Sequence, residues 1–248
     1  MHITDGIERG TWLVHRMDEG TGSVSETAGA EFEAYVRILH PLPDDELFRQ
    51  PTLDGSWSTR RWADVAAHHG RTMHRLVQWG RLLGLDDPIE DTTSDVGWLD
   101  PAVIAALAPL LGAATSTPDD LTAGFWEGSH GQGLPRARVL DGGGRRYVLA
   151  RTDIDELGDP AWAAAMDPDH IDGLGTISLE LLWPDDHAWA LGAEIDFDST
   201  VIGGTRALID AILADNRFEA YEVAEDDDLS WDGDTINLPT TSTATQRV

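Results

Sequence analysis

The chain of 248 residues contains neither cysteine nor lysine. Without cysteine there is no disulfide, no thiolate nucleophile and no cysteine-bound zinc. Without lysine, all 17 basic side chains are arginine, and they face 45 acidic ones, for a formal net charge of −28. A field that negative repels nucleic acid and anionic membrane, and it favours basic partners. No apolar run reaches membrane-spanning length, and no basic–apolar–small pattern opens the sequence, so the expected location is the cytoplasm. Tyrosine is scarce, with three copies against ten tryptophans. An exposed indole leaves a large apolar ring in water, so most of the ten belong to a core or a partner surface.

What is present is enough to fold. Hydrophobic residues make up 41% of the chain, which argues against wholesale disorder despite the charge. The length suits one large domain or two small ones. GC-rich coding favours arginine over lysine and fits the Ala, Gly, Asp and Arg usage. A high-salt proteome would give the same acidic, lysine-poor surface.

Periodicity and turn signals predict the elements. Residues 10–16 read as a short strand, and residues 31–39 as a second, with Phe32, Ala34, Val36 and Ile38 on one face and Glu31, Glu33 and Arg37 on the other. Ser58 is placed to cap a helix over 59–69, with Trp62, Val65 and Ala66 on one stripe and Gly70 at its end. Residues 73–83 read as a further helical piece. Asp100 and Pro101 open a clear helix, 101–111, and strands are expected over 122–127 and 146–152. The glycine-rich stretch 131–144 reads as a loop, and 153–166 as an interrupted helix. Apolar runs over 177–183 and 188–197, joined by Pro184-Asp185-Asp186-His187, predict a β-hairpin. A helix over 206–214 and a strand over 218–223 complete the series. The expected class is α+β, a mainly antiparallel sheet with flanking helices in a single domain, 1–223, with a candidate sub-boundary near 112–120. Residues 224–248, acidic and then Thr/Ser-rich, are expected to form a flexible tail.

The sharpest local pattern is Glu194-Ile195-Asp196-Phe197-Asp198-Ser199-Thr200. On a strand, Glu194, Asp196 and Asp198 would share a face at steps of roughly 7 Å, a spacing suited to a hard cation such as Mg²⁺. Asp196-x-Asp198-x-Thr200 after an apolar run also resembles the first motif of the haloacid dehalogenase-like phosphatases. That resemblance implies Asp196 as nucleophile toward phosphate, Asp198 as acid/base and Mg²⁺ as cofactor. The plain alternative is a strand end whose carboxylates face solvent or cap the helix after Gly203-Gly204. His68, His69 and His74 lack the i, i+4 spacing of a helical metal pair, and no HExxH is present. Gly142-Gly143-Gly144-Arg145-Arg146 lacks the P-loop lysine and leads into a strand, which makes it a hairpin turn. Trp126 and Glu127, and Trp183, Asp185 and Asp186, place aromatics and acids on or beside strands. Exposed together with Glu194, they would form a binding surface rimmed by acid.

Four segments carry a wider resemblance: Glu33-Ala34-Tyr35-Val36-Arg37-Ile38-Leu39-His40-Pro41, Phe125-Trp126-Glu127-Gly128, Trp183-Pro184-Asp185-Asp186-His187-Ala188-Trp189, and residues 194–204. With these the chain resembles a family of proteins from GC-rich actinobacteria that has no assigned activity. That resemblance implies a bacterial cytoplasmic origin and little chemistry.

Charge and tryptophan-rich strands without a complete catalytic set point to a non-catalytic acidic binding protein, of the immunity or antitoxin kind, that covers a basic protein partner and needs no cofactor. The alternatives are a Mg²⁺-dependent phosphohydrolase built on Asp196 and Asp198, a nucleic-acid mimic, and halophilic adaptation in which the charge says nothing about partners.

Overall fold

The computed structural model describes residues 1–20, 22–43, 59–86, 98–128, 137–166 and 178–238. The fold is α+β. Strands β1 (His2–Thr4), β2 (Ala34–Leu39), β5 (Leu121–Trp126), β6 (Val139–Gly142), β7 (Arg145–Thr152), β8 (Leu181–Pro184), β9 (Ala190–Gly192), β10 (Ser199–Gly204) and β11 (Ala220–Val223) form one sheet. Its order is β1-β7-β5-β8-β9-β10-β2-β11, with β6 also on β7, and every pairing is antiparallel. β3 (Leu42–Pro43) and β4 (Thr59–Arg60) pair separately.

Antiparallel sheets commonly leave one face wet. Here both faces are covered, and all six residues of β2 are buried. On one face, Val36, Ile38, Ala123, Phe125, Leu182, Leu191 and Ile202 meet α5 (Pro101–Ala113) and α8 (Arg206–Leu213). On the other, Leu13 of α1 (Thr11–Val14) meets Tyr147, Leu149, Leu181 and Trp183. Val24 and Ala28 of α2 (Val24–Ala28) join Leu229 over Tyr35, Val201 and Val223. α3 (Trp62–His69) and α4 (Trp79–Leu83) close the same face with Trp62, Val65, Trp79 and Leu39. α6 (Ile154–Leu157) and α7 (Trp162–Met166) lie after β7. Among the described residues, no helix is long and apolar enough to cross a membrane.

Local grammar explains several elements. Asp100 caps α5 by accepting from the Ala102 amide at 2.8 Å, with Pro101 in its first turn. Thr205 caps α8 through the Leu208 amide, and Gly70 ends α3 in the left-handed region. Gly143 and Gly144 both hold positive φ, which the tight β6–β7 hairpin turn requires. At Gly192 a Cβ would stand 1.9 Å from the Thr27 carbonyl oxygen, so only glycine lets α2 lie directly on the sheet.

Several expectations change. Residues 10–16 are not a strand: a 3₁₀ turn over Ile7–Gly10 runs into α1, which buries Leu13 in the core. Of residues 73–83, only Trp79–Leu83 is helical. The loop expected over 131–144 ends in β6, and Ser58 lies outside the described residues. Arg37 does not face water; its side chain is fully buried. Residues 224–238, the first part of the expected tail, are docked on the body through buried Leu229, Asp234 and Asn237, while 239–248 lie outside the described residues.

Candidate functional site

Glu194, Asp196 and Asp198 do not share a strand face. β9 stops at Gly192, and 194–198 form the turn into β10, closed by the Phe197 amide donating to the Glu194 carbonyl at 3.1 Å. The alternating acid–apolar pattern is equally compatible with a strand and with this turn, and Ile195 and Phe197 are only half-buried. Arg145 arrives from β7 and clips two of the carboxylates, Nε to Glu194 Oε1 at 2.8 Å and Nη2 to Asp196 Oδ2 at 2.7 Å. Its guanidinium also lies over Trp126, 5.3 Å from the ring centroid. Burial pushes the Glu194 carboxyl above its ordinary value, although the Asp196 amide and Arg145 oppose the shift.

Asp198 is drawn elsewhere, to buried Arg37, whose Nη2 stands 3.3 Å from Oδ1. Arg37 also donates to Ser199 Oγ at 2.8 Å and to the Val77 carbonyl at 2.8 Å. Burial lowers the pKa of this guanidinium, and Asp198 partly restores it. The three carboxylates are therefore held by two arginines that stand on different strands. The turn joins two antiparallel strands, β9 and β10. Among the described residues, no group of three or more His, Asp or Glu side chains is arranged to hold a metal ion.

The aromatic pair does not form a joint surface. Trp126 is half-buried, whereas Trp183 is 1% exposed and belongs to the core. In the sheet register Trp183 lies opposite Thr122, four residues along β5 from Trp126, so no shared patch forms. Glu127 is exposed and pairs with Arg146 at 2.9 Å. Asp185 is exposed, 3.4 Å from Arg9. Asp186 serves the neighbouring loop, accepting from Thr115 Oγ1 and Ser116 Oγ at 2.7 Å each. Partial burial would raise its pKa, but the bonds from Ser116 and Thr115 outweigh that and hold it below the usual carboxylate range. His187, at positive φ, stacks on Trp12 with centroids 4.1 Å apart. His74 binds Asp234 at 2.9 Å, while His68 and His69 sit exposed at the end of α3.

A further concentration of acidic residues lies where sequence reading saw only a tail. The Val24 and Ser25 amides donate to the carbonyls of Asp227 and Glu225 at 3.1 Å each, and the Leu229 amide donates to Gly22 at 2.8 Å. These bonds join residues 22–25 to 225–229. Asp18, Glu19, Glu26, Glu31, Glu225, Asp226, Asp227, Asp228 and Asp232 thereby come together on two joined segments, an acidic ridge on which all but buried Asp227 are at least partly exposed. Among the described residues two guanidiniums pair with them, Arg16, 3.4 Å from Glu31, and Arg75, 2.8 Å from Asp227, and Arg81 lies beside them. Half-buried Phe32, under Arg16, and Trp231, under Arg81 at 4.2 Å, supply apolar surface along it. The ridge is fixed from below, since Glu225 Oε2 accepts from the Glu31 amide at 2.7 Å and from Tyr35 Oη at 2.8 Å. Burial first, and Glu225 second, keep the Tyr35 phenol protonated well above its ordinary range. The signal that reveals the ridge in sequence is the run from Glu225 to Asp228 followed by Leu229 and Trp231, apolar residues a solvated tail does not need.

No family model, no curated protein and no solved structure matches the chain.

Proposed function

We propose that this chain is a non-catalytic acidic binding protein that covers a basic protein partner, in the manner of an immunity protein or antitoxin, in the cytoplasm. One observation carries the reading: nine carboxylates, all but Asp227 at least partly exposed, lie on two hydrogen-bonded segments and outnumber the arginines beside them among the described residues, Arg16, Arg75 and Arg81, next to half-buried Phe32 and Trp231. A preformed anionic ridge with aromatic anchors attracts a cationic surface at long range and offers apolar contact once docked. Most other arginines with carboxylate neighbours are engaged by the chain's own acids, as Arg145, Arg146, Arg151, Arg206 and Arg217 are, so they do little to offset the field outside.

The test begins with the intact chain as bait at low salt and identification of the basic proteins retained. The partner's association rate is then compared for Glu19→Lys/Asp226→Lys/Asp232→Lys and for a control triple, Asp64→Lys/Asp119→Lys/Asp155→Lys, all at exposed positions. The ridge triple slows association by about tenfold or more at low salt and flattens its salt dependence, while the control does less. Equal effects of the two triples, or no basic partner at low salt, rule the ridge out.

A further inference from the structure

A cleft of about 240 Å³ opens at the far end of the helical face, away from the residues of the acidic ridge. Its lining is mixed: apolar Ile38 from β2, Val103 and Ala106 from α5 and Phe218 ahead of β11, together with the carboxylates Asp100 and Glu219. Its rim holds Arg61 and Arg217. The two guanidiniums meet at one turn, because Arg61 Nη2 donates to the carbonyl of Asn216, the residue before Arg217. Arg217 is directed by Asp215, Nη2 to Oδ2 at 2.6 Å, and leans over Phe218 at 5.4 Å.

The two carboxylates that line the cleft are already committed to helix-terminal amides. Glu219 accepts from the Trp62 and Ala63 amides at 2.8 Å each and so caps α3. Asp100 caps α5 through the Ala102 amide at 2.8 Å. Arg61 is exposed and has no carboxylate partner among the described residues. In a chain of net charge −28, a largely apolar cleft whose lip carries a guanidinium bonded to a carbonyl and to no carboxylate among the described residues is a local departure from the surrounding field.

We infer that this cleft binds a small organic anion, a carboxylate with a short aliphatic body. The body packs on half-exposed Ala106 and on the edges of Ile38, Val103 and Phe218 that line the cleft, and the carboxylate takes two N–H donors of Arg61 with Arg217 beside it. Repulsion from the rest of the molecule is screened beyond about 8 Å at physiological salt, while contacts inside the cleft are not. The site is independent of the acidic ridge and of the partner proposed for it.

The experiment is a titration of the full chain, carrying labelled Ile and Val methyls, with hexanoate, hexylamine and 1-hexanol at neutral pH. Hexanoate moves the methyl signals of Ile38 and Val103 saturably, hexanol binds more weakly, and hexylammonium does not bind. Arg61→Gln, on an exposed side chain, weakens hexanoate about tenfold, the factor one charge-assisted hydrogen bond is worth. Ala106→Phe fills the cleft from a half-exposed position and abolishes the shifts while the remaining methyl spectrum stays in place. The inference is overturned by absence of saturable shifts at Ile38 and Val103, by hexylammonium binding as well as hexanoate, or by unchanged affinity in Arg61→Gln.

Discussion

Asp234→Ala tests the reasoning about residues 224–238 most directly. The Asp234 side chain is fully buried. Its Oδ1 accepts from His74 Nε2 at 2.9 Å and from the Ile236 and Asn237 amides at 3.1 and 2.9 Å. Its Oδ2 accepts from the Gln78 amide at 3.1 Å and from Asn237 Nδ2 at 3.0 Å. Alanine leaves the Gln78 and Asn237 amides without an acceptor in a site that water does not reach freely. Removing one charged member of a buried hydrogen-bonded set costs about 3–5 kcal/mol, and the individual bonds do not add. For a chain of this size that corresponds to a fall in Tm of roughly 10 °C. The assay is thermal unfolding followed by tryptophan fluorescence, with Asp232→Ala, an exposed neighbour, as the control expected to stay within about 0.5 kcal/mol. The pH dependence has a definite sign. Burial raises the Asp234 pKa, but the bonds from Asn237, Gln78 and His74 outweigh it, so the folded value lies below the ordinary 3.8. Its contribution is therefore complete above the unfolded pKa and is lost as pH falls through the folded one. The wild-type and Asp234→Ala stability curves should be parallel at neutral pH and draw together only in acid. A Tm loss of under about 3 °C, or curves that stay parallel through strong acid, refutes this account of how the segment is held.

Two further outcomes follow from the packing. Gly192→Ala should cost about 3 kcal/mol, because its methyl must displace the Thr27 carbonyl and with it α2; near-neutral thermal stability of this variant would contradict the close approach. Asp198→Asn should cost about 3 kcal/mol by leaving Arg37 buried without its counter-charge, and Arg37→Met/Asp198→Asn should cost less than the two single changes together. A strictly additive double-mutant cycle in urea would show that the pair is not coupled.

What sequence made legible was local. The α5 start needs only Asp100 and Pro101, and the β6–β7 turn needs only Gly143 and Gly144, so neighbouring residues announce both. The β8–β9 hairpin was visible for the same reason, since its two apolar runs and their turn are contiguous. What was hidden depends on distant partners. Arg145 stands 49 positions from Glu194, and Arg37 stands 161 from Asp198, so an acidic stretch that reads as one carboxylate face is divided between two cations that nothing nearby announces. Residues 224–238 read as a tail because their acids dominate the local composition. The donors that bury Asp234, at Gln78 and His74, lie 156 and 160 positions earlier. Trp183 and Trp126 look alike in sequence, and only the sheet register separates a core indole from a half-exposed one.

The placement of β2 bears on how the molecule can be made. Both of its edges are filled by strands that arrive far later in synthesis, β10 on one side and β11 on the other. A nascent chain halted before Ser199 therefore carries Ala34–Leu39 with its sheet partners missing on both sides, an adhesive ribbon that must be shielded until residues 199–223 have been made. Ribosome-bound truncations ending before and after Val223 should differ sharply in protease resistance, because only the longer one can close the sheet around its own beginning.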